Sequence, residues 1–357
     1  MAVLSSCSII ERDINGDVLW AWTFPSISDQ QRSISLRKCC LTDGDGGNGT
    51  GNGTQRFIYG RLGKQWFYIG CTEVFDSDNL PWVKQFALVL WTVDFNPEKY
   101  ETLIRILSKT YCKTGDPSVM LRLYLSVATS GSCTTEENGT FLVKEFDTRQ
   151  KLRSSHTMVK ELINMFGLEI ILIYTAMLLR KRVVVYHHSL QALQKWVRSF
   201  PALMSHRSEA NDLYPWVDLV PEEVAPLKVS QCHIAGFRDS AVGSRTDLYD
   251  VLVNLPAREI SVSPHAKESM VMTKTHKEIA VQLVQLAARE DATESQIVKE
   301  VSDRTSDLIN HLKSLSSVTD ADGRAMVSVE ELRKRGFAAP LENFLFNLAV
   351  AENMIIL

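Results

Sequence analysis

The stretch from Phe166 to His188, FGLEIILIYTAMLLRKRVVVYHH, constrains the fold more than any other. Its twelve residues from Leu168 to Leu179 are apolar almost without a break, with Glu169 the one charge. A bilayer-spanning helix takes about 20 such residues, so this length predicts a buried core helix instead. Arg180, Lys181 and Arg182 come next. Basic side chains suit a helix C-terminus, where unpaired carbonyls carry partial negative charge. Val183, Val184, Val185 and Tyr186 follow without alternation, the pattern of a strand covered on both faces. A central helix is therefore expected to run through a surface turn into a central parallel strand, with Ile173 and Val184 in the core.

A chain of 357 residues exceeds one simple core, so two or three modules are expected. The formal charge of −3 gives no reason to expect nucleic acid as a partner. The seven cysteines are an odd number, contain no CxxC and place Cys39 beside Cys40. That is neither a disulfide framework nor a zinc site, and it fits reduced thiols in the cytoplasm. The NGT sequons at Asn48, Asn52 and Asn138 are then not expected to be glycosylated. No signal peptide or membrane span is visible.

Before the central stretch the pattern is antiparallel. Asn15-Gly16 separates two strand-like runs and suits a hairpin turn, because both residues tolerate positive φ. Ser28 or Asp29 can cap a short helix over Gln30–Leu41. Asp43 to Thr54 is too glycine-rich to hold one conformation, and Gly47 stands where a calcium loop needs its third ligand. A second hairpin flanks Gly60–Lys64; the Gly63-Lys64 pair is no phosphate loop, since Gln65 replaces the magnesium-binding Ser or Thr. Phe86–Val93 is a third strand of the same sheet. Asn96-Pro97-Glu98 and Asp116-Pro117 are helix starts. The polar run Thr134–Gly139 reads as a linker, Phe141–Val143 as one more strand, and Ser154 or Ser155 as caps for a helix ending at Phe166.

After it, helical and strand patterns alternate. Ser189–Met204 is amphipathic, Tyr214–Val220 extended, Cys232–Phe237 a buried strand, Arg238–Thr246 a polar loop and Leu248–Leu255 a strand. This argues for an open, largely parallel sheet. From Pro264 onward the apolar stripes have helical spacing, and they read as packing faces.

No catalytic constellation emerges. There is no GxSxG, HExxH or GxGxxG at a strand-to-helix turn. His187-His188 reads as a solvated loop, with metal binding the sharper alternative. Asp320, Asp322, Ser328 and Glu331 have calcium-loop spacing, but Arg324 and Ala325 replace a ligand and the turn glycine. No metal and no cofactor is expected.

The ordered set LLRKRVVVYHHSLQAL, LYPW, CHIAGF and DLYDVLVNL resembles the DENN domain family, along the whole chain. In that family a core helix ends in a Leu-Leu-acid-basic-basic run, enters a Val-rich strand and is followed by a Ser-Leu helix. Arg180 stands here where many members carry the acid, and Leu219–Val229 is shorter and more acidic than the usual Tyr-Pro continuation. The resemblance implies a longin-like antiparallel module over 1–140, an α/β core over 141–263 and a helical region over 264–357. It also implies guanine nucleotide exchange on a Rab-family GTPase, peripheral recruitment from cytoplasm to late or other endosomal membranes, and other subunits of an endosomal trafficking complex as further partners. The alternative is an interaction subunit of such an assembly without exchange activity. Ligands of open α/β sheets gather beyond the C-terminal ends of the strands. The GTPase contact is therefore expected at Arg238, Asp239, Ser240 and Arg245, and not at Arg180, Lys181 and Arg182, which leave the other end of the central strand and are expected to be a solvated helix end or a contact to acidic partners.

Overall fold

Asn15 and Gly16, the latter at φ +96°, turn strand β1 (Leu4–Asp13) back into β2 (Val18–Phe24). The computed structural model that shows this describes residues 3–41, 56–75, 77–146, 157–207, 212–316, 318–319, 323 and 325–356. The chain divides into two units, Met1–Leu152 and Arg153–Leu357.

In the first unit, β1 and β2 join β3 (Arg56–Leu62), β4 (Gln65–Glu73) and β5 (Val83–Thr92). The sheet order is β2-β1-β5-β4-β3 and every pairing is antiparallel. Helix α1 (Asp29–Lys38) starts at Ser28, whose hydroxyl and Gln31 form a reciprocal cap. Helix α2 (Pro97–Thr114) starts on the Asn96 side chain and buries Leu103, Ile104 and Leu107. Helix α3 (Pro117–Ser130) starts on Asp116 and buries Met120, Tyr124 and Val127. These starts follow the sequence signals, because a cap oxygen plus an N1 proline satisfies the helix end locally. The run Thr134–Gly139, expected as a linker, is instead the turn of a hairpin between β6 (Ser132–Thr135) and β7 (Gly139–Leu142). Gly139 supplies φ +67°, and Thr135 Oγ1 accepts from the Asn138 amide at 3.2 Å. The glycine-rich loop and the proposed caps Ser154 and Ser155 lie outside the described residues.

The second unit is built on the central stretch. Helix α4 (Val159–Phe166) passes through a 3-10 turn at Gly167–Glu169 into α5 (Ile170–Leu178). The run Val159–Leu178 has 20 residues and is apolar enough to cross a membrane by length and composition, but 61% of its most apolar window is buried inside the protein. Helix α4 has no cap from its own segment. The Glu294 carboxylate accepts from the amides of Val159 and Lys160 instead. Strand β8 (Arg182–Tyr186) follows, with Val183, Val184 and Val185 all 0% exposed.

Strand β8 sits between β10 (His233–Phe237) and β11 (Val251–Asn254); β9 (Leu213–Val217) flanks β10 and β12 (Glu259–Val262) flanks β11. The pairs β8–β10, β9–β10 and β8–β11 are parallel, and only the edge pair β11–β12 is antiparallel. This is the open, mostly parallel core sheet. Two elements are finer than expected. The Ser189–Met204 helix is broken into α6 (Leu190–Val197) and α7 (Ser199–Ala202), because Pro201 has no N–H for the Val197 carbonyl. The acidic segment after Leu219 is a helix, α8 (Pro221–Val229), started by Pro221, Glu222 and Glu223.

Gly236 in β10 is required by close packing. A Cβ there would lie 2.5 Å from the Pro215 carbonyl oxygen and 3.1 Å from a Val197 methyl. Gly236→Ala should therefore destabilise the second unit by about 1–3 kcal/mol, since overpacking forces the backbone to shift. Denaturant unfolding checks this, and an unchanged midpoint would contradict the packing.

Helices dominate the rest: α9 (Lys274–Ala287), α10 (Glu294–Ser314), α11 (Val329–Lys334) and α12 (Ala339–Ala351). Leu283, Ile297, Val301, Leu312, Phe344 and Leu348 of the expected stripes are buried. A small ribbon of β13 (Val318–Thr319), β14 (Ala325–Ser328) and β15 (Ile355–Ile356) joins them. Two of the residues at calcium-loop spacing serve as a cap: the Ser328 hydroxyl accepts from the Glu331 amide, and the Glu331 carboxylate accepts from the Ser328 amide.

Candidate functional site

The parallel strands β8, β9, β10 and β11 all end on one side of the core sheet, and the polar loop leaves from the end of β10. The His187 amide donates to the Phe237 carbonyl at 3.1 Å, tying the two strand ends together. The His187 and His188 rings stack with centroids 4.5 Å apart. Burial and the neighbouring His188 push the His187 pKa down, and its Nδ1 accepts from the Ser189 amide. Among the described residues, no three His, Cys, Asp or Glu side chains are grouped to hold a metal ion.

Arg238 leaves β10 and its Nε donates to the His188 carbonyl at 3.4 Å. The Asp239 carboxylate accepts from the Ala241 amide at 2.9 Å and caps a 3-10 turn over Ser240–Ser244. Val242, at the middle of that turn, is fully buried against Val184, Phe237 and Leu248. The Tyr249 hydroxyl donates to the Gly243 carbonyl at 2.7 Å. The loop thus has one apolar pin and one tyrosine tie, and it exposes Asp239, Ser240 and Ala241 to solvent. A polar surface on a rigid frame is the usual setting for binding residues.

Arg238, Asp239 and Ser240 therefore form one patch. Arg245 does not complete it. Its guanidinium grips Asp247 with two hydrogen bonds, of 2.8 and 2.9 Å. Asp247 also pairs with Lys228 at 3.3 Å, and its carbonyl accepts from Arg182 at the start of β8. The hydrogen bonds from Arg245 and Lys228 hold the Asp247 carboxyl well below the usual carboxylate range. The loop crosses the sheet between Arg238 and Asp250, so Arg245 belongs to the return limb.

At the opposite end, Arg182 is not a solvated helix end. It pairs with Asp250 at 3.0 Å, and the two side chains are 17% and 11% exposed. Burial works against the Asp250 charge, but the hydrogen bonds from Arg182 and His265 hold its pKa below the ordinary value. Ser263, His265 and Asp250 lie together here, yet they are no catalytic relay. The Ser263 hydroxyl at 3.1 Å and the Asp250 carboxylate at 2.9 Å both face Nε2 of His265, whereas a Ser–His–Asp triad needs them on opposite ring nitrogens. This cluster has no local sequence signal, because Arg182 and Asp250 are 68 positions apart and meet only through the β8–β11 register.

Comparison with known proteins agrees with this architecture. The family described as "SPA: Stabilization of polarity axis" matches residues 156–264, which hold the core sheet. DENN domain-containing protein 10 of Mus musculus is 40% identical over 347 residues, covering 97% of this chain and 95% of the relative. The Danio rerio protein of that name is 40% identical over 353 residues, covering 99% and 98%. The Dictyostelium discoideum protein of that name is 33% identical over 364 residues, covering 98% and 97%. With an antiparallel sheet and helices, a mostly parallel core sheet and a helical C-terminal region in that order, and with relatives this similar from end to end, the chain belongs to the family of DENN domain-containing proteins.

Proposed function

We propose that this protein is a guanine nucleotide exchange factor for a Rab-family GTPase, acting in endosomal membrane traffic. The observation that carries the reading is the span of the likeness: DENN domain-containing relatives match 97% or more of the chain. Exchange requires no nucleophile and no cofactor. The protein must bind the nucleotide-free GTPase more tightly than the loaded one, so that binding energy displaces the nucleotide. The Arg238–Asp239–Ser240 patch is the contact we assign to the GTPase. Asp239 and Ser240 are exposed and Arg238 is half-buried, and the loop is held by Val242 and Tyr249 from beneath.

A second reading is an interaction subunit that joins a trafficking assembly without exchanging nucleotide. One observation favours it: the Asp239 carboxylate and the Arg245 guanidinium are both engaged within the chain. Release of a fluorescent GDP analogue from a panel of Rab proteins separates the two. The exchange reading expects at least one Rab to release nucleotide faster with the chain present. Asp239→Arg should lower that rate at least tenfold. Asp239→Asn keeps the cap oxygen and should show how much of the loss is charge. Lys267→Glu, exposed beyond β12 at the other end of the sheet, should leave the rate unchanged. Stimulation of no Rab in the panel would favour the second reading.

A further inference from the structure

A cavity of about 380 Å³ lies at the end of the core sheet opposite the Arg238 loop. That volume falls in the range of small-molecule sites, about 300–1,000 Å³. The residues that begin the sheet line it: Lys181 before β8, Asp212 before β9, and Cys232 and Ile234 at β10. Two helix ends frame it. At the end of α5, the Lys181 amide donates to the Ala176 carbonyl at 2.9 Å, with Arg180 at φ +52°. At the end of α12, the Met354 amide donates to the Ala349 carbonyl at 2.7 Å, with Asn353 at φ +56°. Such closures put one residue in the left-handed region, where glycine is favoured and asparagine tolerated. Arginine is the unfavourable choice, yet Arg180 occupies that corner. Its guanidinium reaches Asp212 at 3.3 Å, and Cys232 lines the cavity beside it.

The charges around the cavity do not balance. Arg180, Lys181 and Arg207 line it against Asp212 and Glu352. Arg207 is fully engaged: it donates to the Met177 and Leu178 carbonyls at 2.8 and 2.7 Å and pairs with Glu352, joining the two helix ends. Asp212 is taken by Arg180. Lys181 is left over. It is half-buried, and among the described residues its ammonium has no hydrogen bond or ion pair; Asp250 acts on it only at longer range. Burial pushes its pKa down, as expected for a cation that the protein itself does not neutralise. Met177, Pro201, Met204, Ile234 and Ala351 supply an apolar wall beside it.

We propose that this cavity binds a small amphipathic anion, with a carboxylate or phosphate-monoester head on Lys181 and Arg180 and a compact aliphatic body against the Met177–Met204–Ile234 wall. The anion completes the charge balance of the lining, where Lys181 is half-buried and meets no carboxylate among the described residues. The left-handed Arg180 is then retained for its head-group contact, in a place where the backbone alone would favour glycine.

Titration calorimetry of the full chain with octanoate, octyl phosphate, octanol and inorganic phosphate tests this. At least one of the two anionic amphiphiles should bind at least tenfold more tightly than octanol and than inorganic phosphate. Preference for octanoate assigns the site to carboxylates, and preference for octyl phosphate to phosphate monoesters. Lys181→Met should erase the preference over octanol, and Lys181→Arg should keep it. Arg180→Gly should hold or raise the melting temperature, because glycine suits the left-handed corner, while anion affinity falls severalfold. Equal binding of octanol and the anions, inorganic phosphate binding as well as octyl phosphate, no binding of any probe, or unchanged affinity in Lys181→Met would each overturn the proposal.

Discussion

Val184→Asp should yield no folded protein. Val184 lies at the centre of β8, paired in parallel register with Ala235 on one side and Leu252 on the other. It is 0% exposed and packs in a cluster with Val217, Phe237, Val242 and Leu248. A carboxylate there would have no cation or donor to pair with, and the backbone groups around it are already used in the sheet. Burying an unpaired carboxylate costs several kcal/mol, against a total stability of about 5–15 kcal/mol for a typical domain. The chain should be insoluble or lack a cooperative transition. Val184→Ala removes volume without adding charge, and it should remain soluble and melt cooperatively at a lower temperature. A soluble Val184→Asp protein with a sharp melting transition would contradict a central strand closed on both faces.

Acid should weaken the second unit well above the usual carboxylate range, and two buried histidines are the reason. His233 opens β10 with no exposed surface; its Nε2 faces the Leu248 carbonyl at 3.0 Å, and its Nδ1 has no partner among the described residues. His276 sits in the first turn of α9, 2% exposed. It accepts the Thr273 amide on Nδ1 and packs edge-on against Phe344, and its Nε2 has no partner among the described residues. Burial pushes both pKa values down to about 4. Their folded values lie below the unfolded value of about 6.5, so the unfolded chain takes up protons first as pH falls. Stability from this source is complete above pH ~6.5 and is lost progressively down to pH ~4, at up to about 1.4 kcal/mol per pH unit for each group. Between pH 7 and 5 each histidine should remove about 2 kcal/mol. Denaturant unfolding across that interval measures the loss. His276→Gln tests its share, because glutamine at this position keeps a reciprocal cap and does not titrate. The variant should lose about 2 kcal/mol less than the parent over the same interval; parallel curves would mean that His276 is already protonated or solvated in the folded state.

The sequence reading was strongest where one local pattern decides the structure. The apolar run from Leu168 to Leu179 holds the helix Ile170–Leu178, and the run Val183–Tyr186 lies in strand β8, because apolar runs of those lengths have one economical burial each; Ile173 and Val184 are both fully buried. Asn96-Pro97 and Asp116-Pro117 start helices because the cap and the proline act within one turn. It was weaker where the signal was polarity alone. Thr134–Gly139 is a hairpin turn and not a linker, since threonine and glycine serve both equally well. Pro221–Val229 is helical even though Pro226 interrupts its pattern.

The candidate site was legible in part. Its place at the end of β10 followed from strand order, and Asp239 followed as a polar loop residue. The separation of Arg245 from that patch did not, because the path of the loop depends on Val242 inserting into the core and on Asp247 being held by Lys228 and Arg182. The charge balance of the cavity was equally hidden, since its cations and carboxylates come from Arg180 to Glu352 along the chain.

By itself, the order of apolar periods, caps and turn residues determined the antiparallel-then-parallel architecture, the core residues and the family likeness, because those depend on contacts close in sequence or on burial of whole faces. Only the tertiary structure decided which ionic groups are consumed. Arg182, expected at a solvated helix end, is locked to Asp250, while its neighbour Lys181 is half-buried and meets no ion-pair partner among the described residues. The physical reason is register: the pairing of β8 with β11 brings Asp250 to Arg182, and no property of the RKR run itself says which of its three charges will meet a carboxylate.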